Sequence, residues 1–107
     1  MGTTLILLIA AQLSVAGKPL KPADFLDGRA IAGGTGTPVV MLTLTSAATT
    51  RIKRLGPKAV VLLDGKPAPA RLTDNIIELD GQKTFDAAAK LARAISGKPP
   101  LPDSLEE

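Results

Sequence analysis

The chemistry open to this chain is set by what it lacks: 107 residues include ten carboxylates and thirteen Lys or Arg, but no His and no Cys. Without Cys there is no disulfide framework, thiol nucleophile or thiolate metal ligand. Without His, the side chain that most readily moves protons near neutral pH is missing. Ser/His/Asp and Cys/His catalysis fall away, as do zinc sites built on His or Cys. An enzyme would have to use Ser, Thr, Lys and carboxylates, and these form no recognisable arrangement. Asp64, Asp74 and Asp80 stand at turn signals, where Asp is favoured because it bonds its own backbone. Asp74, Glu78 and Asp80 adjoin one another and offer a weak cation site, though without calcium-loop spacing. Gly33-Gly34-Thr35-Gly36 looks like a phosphate cradle, but such a loop must open directly into a helix. Here Pro38-Val39-Val40-Met41-Leu42-Thr43-Leu44 follows, which reads as a strand. The glycine run is therefore a hairpin loop, and no catalytic, cofactor-binding or metal residue is assigned.

The elements that position these residues must come from one small domain, residues 1–102, with a frayed acidic tail over 103–107. Apolar residues make up 45% of the chain, and Phe25 and Phe85 are its only aromatics, so the core is aliphatic. The net charge of +3 is a mild excess with scattered cations. Nucleic-acid binders cluster positive charge and often add aromatic platforms, so no nucleic-acid partner is expected.

Residues 5–11, Leu-Ile-Leu-Leu-Ile-Ala-Ala, are the most hydrophobic run. A bilayer span needs about 20 apolar residues, so this run does not cross a membrane. Read one way it is a secretory leader, with Ser14-Val15-Ala16 as a small-x-small cleavage site but no Lys or Arg ahead of Lys18. Read the other way, residues 5–15 are a first strand, because Leu5, Leu7, Ile9, Ala11, Leu13 and Val15 share one parity. The strand is the preferred reading.

Residues 17–37 hold Pro19, Pro22 and five glycines and read mostly as loop, with a single helical turn at Pro22-Ala23-Asp24-Phe25-Leu26. Thr45 or Ser46 offers an N-cap for a helix reaching Leu55, with Ala48, Ile52 and Leu55 inward. Gly56-Pro57 stops it. Arg51, Lys53, Arg54 and Lys58 suit the negative end of that helix, or else form a patch for an acidic partner or lipid head groups. Residues 59–63 are apolar on both parities and read as a central strand, closed by an Asp64-Gly65 hairpin turn. Residues 66–72 return as a strand whose Pro67 and Pro69 confine it to an edge. Residues 76–79 make the next strand. Thr84 caps a final helix with Phe85, Ala88, Ala92 and Ile95 at helical spacing, ended by Gly97, Pro99 and Pro100.

Residues 8–102, nearly the whole chain, also resemble a known family, the SecD/SecDF subunits of bacterial protein translocation, in the head part of their first periplasmic domain. The likeness lies in the strand ending at Asp64-Gly65, Ala68-Pro69, Ile76, the helix with Phe85, Ala88 or Ala89, Leu91 and Ala92, and the exit at Gly97 and Leu101-Pro102. Upstream, Gly17, Leu20 and Ala23 fall at the family's spacing, and Pro38-Val39-Val40 with Leu42-Thr43-Leu44 resembles its strand into the first helix. The stretch between first helix and central strand is shortened here to Gly56-Pro57-Lys58. The family's membrane-embedded charged residues have no counterpart, so proton-driven transport does not carry over. What the resemblance implies is a periplasmic or extracytoplasmic, non-enzymatic module for polypeptide, linked to protein export and only indirectly to the membrane.

The expected fold is α+β, in the order β-β-α-β-β-β-α, with a mixed or antiparallel sheet and two helices mainly on one face. Residues 39–44 and 59–63 are its central strands. Leu7, Ile9, Leu13, Val40, Leu42, Ile52, Leu55, Val61, Leu63, Ile77, Phe85, Leu91 and Ile95 are its core. The proline-bearing edge strand, with open loops beside it, is expected to accept extended polypeptide. The alternatives are a domain that self-associates through residues 5–15, and a small hydrolase or transferase using Asp64 and Asp80.

Overall fold

In the computed structural model, described over residues 11–55 and 60–98, the chain folds as α+β with every strand pairing antiparallel. Its elements are β1 (Leu13–Val15), β2 (Lys18–Pro19), a 3₁₀ turn (Pro22–Asp24), β3 (Phe25–Ala32), β4 (Pro38–Leu44), α1 (Ser46–Lys53), β5 (Val61–Leu63), β6 (Lys66–Pro67), β7 (Ala70–Thr73), β8 (Ile76–Leu79) and α2 (Phe85–Ser96). The strands divide between two four-stranded sheets, β2-β1-β5-β6 and β3-β4-β8-β7.

The order of elements repeats. Each half runs hairpin, hairpin, helix, and the sheets are joined at their middles by corresponding strands, β1 with β5 and β4 with β8. In the first sheet the match holds residue by residue. Leu13 corresponds to Val61 and Val15 to Leu63; the turn Ala16-Gly17 corresponds to Asp64-Gly65, and Lys18-Pro19 to Lys66-Pro67. All four turn residues have positive φ, from 51° to 82°, as two-residue hairpins require to match strand twist.

Three readings of the sequence are corrected. Residues 17–37 are not mostly loop: β3 occupies eight of them. Its Asp27-Gly28 imitates a turn, and a bulge between Phe25 and Asp27 breaks the alternation by which a strand is recognised. Residues 66–72 are not one strand. Pro69 has no N–H to continue a ladder, and the chain turns there from β6 in one sheet to β7 in the other. Phe85 is not core. It is the first residue of α2, 48% exposed, ahead of the buried stripe Ala88, Ala92, Ile95 and Ser96.

Residues 39–44 form an interior strand, and so do residues 61–63. Leu13, Val40, Leu42, Ile52, Val61, Ile77 and Ile95 are buried, while Leu55, Leu63 and Leu91 pack half-buried against them. Thr45 caps α1, and Thr84 caps α2, each accepting a backbone N–H. The helix α1 ends at Lys53, and Gly97 in the left-handed region closes α2. Leu7 and Ile9, the choice between leader and strand over residues 1–10, the stop at Gly56-Pro57 and the tail 103–107 lie outside the described residues.

Candidate peptide edge

An antiparallel strand at the margin of a sheet turns the main chain of alternate residues outward. Three margins can be read from the register. In the β1–β2 hairpin Val15 pairs with Lys18 beside the turn, and Leu20 N–H donates to the Leu13 carbonyl at 2.8 Å. Pro19, between them, therefore faces away from the sheet. In the β5–β6 hairpin Leu63 pairs with Lys66, and Ala68 N–H donates to the Val61 carbonyl at 3.0 Å. Pro67, between them, faces away likewise. Both margins of the first sheet thus carry proline at the position whose N–H would point outward, which blunts them against strand addition.

The margin of the second sheet at β7 is built differently. Asp80 N–H donates to the Pro69 carbonyl at 2.9 Å, and Arg71 and Thr73 stand opposite Glu78 and Ile76. The alternation leaves Ala70 and Leu72 with both N–H and carbonyl turned outward. No proline intervenes, and the Leu72 side chain is 41% exposed. At the opposite margin α2 lies over β3, and Asp27 and Gly28 are buried there.

A cleft of about 420 Å³ adjoins β7 where the chain passes between the sheets. Leu63, Pro67, Ala68, Pro69 and Leu79 give it apolar walls, with Asp64, Lys66 and Gln82 at its rim. Leu79 is the cross-strand partner of Ala70, so the cleft opens on the face of the sheet to which Ala70 and Leu72 point. A second cleft, of about 520 Å³, lies between the Gly33-Gly34-Thr35 loop and Arg71. That loop is a hairpin turn, as expected, held by Gly33 N–H to the Thr37 carbonyl at 2.8 Å.

On the other face of β7, Arg71 holds Glu78 at 2.8 Å and also Asp80. Hydrogen bonding to Glu78, and then to Asp80, raises the guanidinium further above its already high pKa. The group read from sequence as a cation site is thus partly assembled, but around a side chain of the protein: Glu78 and Asp80 converge on Arg71, and Asp74 sits at the β7–β8 turn with φ 51°. Asp64 accepts the Gln12 N–H, Asp24 pairs with Arg51, Asp27 with Arg29 and Asp86 with Lys90. Among the described residues no three potential metal ligands cluster. Of the basic group at the end of α1, Arg51 is drawn to Asp24, Lys53 and Arg54 are exposed, and Lys58 lies outside the described residues.

Residues 13–15, the strand in the described part of the stretch assigned to self-association, bond on both sides, to β2 and to β5. They offer no edge. Sequence reasoning placed residues 66–72 at an edge, as found, but assigned polypeptide to the proline-bearing part; Pro67 blunts β6, and the open margin is β7. The signal was present in the paired Gly17-Lys18-Pro19 and Gly65-Lys66-Pro67, whose recurrence marks two equivalent hairpins.

No helix among the described residues is long and apolar enough to cross a membrane. The chain matches no family model, no curated protein and no solved structure.

Proposed function

We propose that this domain is a non-enzymatic module that holds extended polypeptide by adding it as a further strand to β7. The observation that carries the reading is the outward-turned main chain of Ala70 and Leu72, two donors and two acceptors beside an apolar cleft. Strand addition of this kind draws affinity from main-chain hydrogen bonds. With two residues on offer the complex is weak and short-lived, as suits a surface that passes a chain along. The likeness of residues 8–102 to the SecD head extends the proposal: the client is an exported chain, met on the outer side of a membrane. The engagement of Asp24, Asp64, Glu78 and Asp80 with partners of their own favours a binding role over carboxylate catalysis.

The test is titration of the ¹⁵N-labelled domain with unfolded peptides, with and without Ala70→Pro. The Ala70 N–H points outward, so the substitution removes a donor without breaking a bond of the sheet. Shifts at residues 70–72 that saturate in the millimolar range and vanish in Ala70→Pro are expected. Unmoved resonances at β7 with millimolar peptide would overturn the proposal.

A further inference from the structure

The geometry at β7 points to a definite class of segment: we infer that it takes a stretch with two apolar residues separated by one polar residue. This rests on the strand-addition reading above and specifies its ligand. Cross-strand neighbours in an antiparallel pair lie on the same face of the sheet. A peptide residue bonded to Ala70 therefore directs its side chain to the face that carries Leu79 and the cleft. The residue bonded to Leu72, two positions along, directs its side chain to the same face, against the exposed Leu72. The residue between them stands opposite Arg71 on the other face, where the guanidinium is held by Glu78 and Asp80. That position is solvated and takes a polar side chain. The apolar walls of the cleft, Leu63, Pro67, Pro69 and Leu79, suit a branched aliphatic side chain.

The occupant is a foreign segment rather than a second copy of this chain. An antiparallel copy centred on β7 would set Arg71 directly opposite Arg71 of the other copy, and like charges in facing positions are destabilising. The Ala70 and Leu72 positions would then cover one another, leaving the cleft without a large side chain.

Three nine-residue peptides test this by ¹⁵N chemical-shift titration. One carries two leucines two apart in a serine background, one the same leucines adjacent, and one serines only. The alternating peptide should bind about fivefold more tightly than the adjacent one, the affinity equivalent of one poorly buried leucine. Leu72→Asp should erase that preference, so that the alternating and adjacent peptides bind alike. Equal affinity for alternating and adjacent leucines, with shifts still at residues 70–72, would overturn the inference and leave strand addition standing. Absence of shifts at β7 with every peptide would overturn both. Sedimentation showing a dimer, with β7 resonances broadened as concentration rises, would replace the peptide by a second copy.

Discussion

Gln12 and Asp64 bond to each other twice: Asp64 N–H donates to the Gln12 carbonyl at 2.8 Å, and Gln12 N–H donates to Asp64 Oδ1 at 2.9 Å. The equivalent place in the other half of the first sheet is only half made. Ala16 N–H donates to the Val60 carbonyl at 2.8 Å, but Ala16 has no carboxylate to answer Val60. It also sits at φ 52°, where Asp is better tolerated than Ala. Ala16→Asp should therefore stabilise the domain by about 0.5–1.5 kcal/mol, the worth of one added hydrogen bond. Asp64→Ala should cost a similar amount. Urea midpoints of the two variants check both signs, and an Ala16→Asp variant less stable than the parent would break the claimed equivalence of the hairpins.

Gly28 reports how closely α2 lies on β3. A Cβ there would come 2.8 Å from the Ala92 carbonyl oxygen and 3.0 Å from Ser96 Oγ. Gly28→Ala should destabilise by about 1–3 kcal/mol, as overpacking against backbone does. Gly34, with open space around it and no positive φ, is the control, and Gly34→Ala should leave the midpoint nearly unchanged. Thermal or urea melts of the pair give the comparison.

Pro19 and Pro67 are expected to keep the domain from adding to itself. Replacing both by Ala restores an outward N–H on each margin of the first sheet without touching an internal bond. The double variant should unfold at nearly the parent midpoint yet sediment as concentration-dependent oligomers. A strictly monomeric double variant would show that the prolines do not guard these margins.

The two helix caps predict a graded loss. Thr84 Oγ1 accepts the Ala87 N–H at 3.0 Å, and Thr45 Oγ1 accepts the Ala48 N–H at 3.2 Å. Loss of such a cap costs about 0.5–2 kcal/mol. Thr84→Ala should fall at the larger end, because α2 covers β3 and β4 and carries much of the buried stripe. Equal effects from Thr45→Ala would argue that the helices contribute alike.

Much of the fold was legible because it depends on local chemistry. Thr84 before a run with apolar spacing and Gly97 after it specify α2 at both ends. Asp64-Gly65 specifies a hairpin without reference to anything distant. What stayed hidden depends on contacts between remote segments. Residues 17–37 read mostly as loop until α2 is seen to require a residue without a side chain at position 28. The run 66–72 reads as one strand because nothing local says that Pro69 is where the chain leaves one sheet for another. At the candidate edge, sequence placed proline on a marginal strand but not which way its missing N–H would have pointed; that is set by register, which takes two strands to define.

The two middles at which β1 meets β5 and β4 meets β8 have a mechanical consequence. Two seams between the halves run through the interior of a sheet, and a third lies where α2 covers β3 and β4, so neither half owns a finished hydrophobic layer. A protease cut between Leu55 and Val60 would leave two pieces that hold each other by seven facing strand pairs and by α2 on β3 and β4, and that lose their shape together when pulled apart.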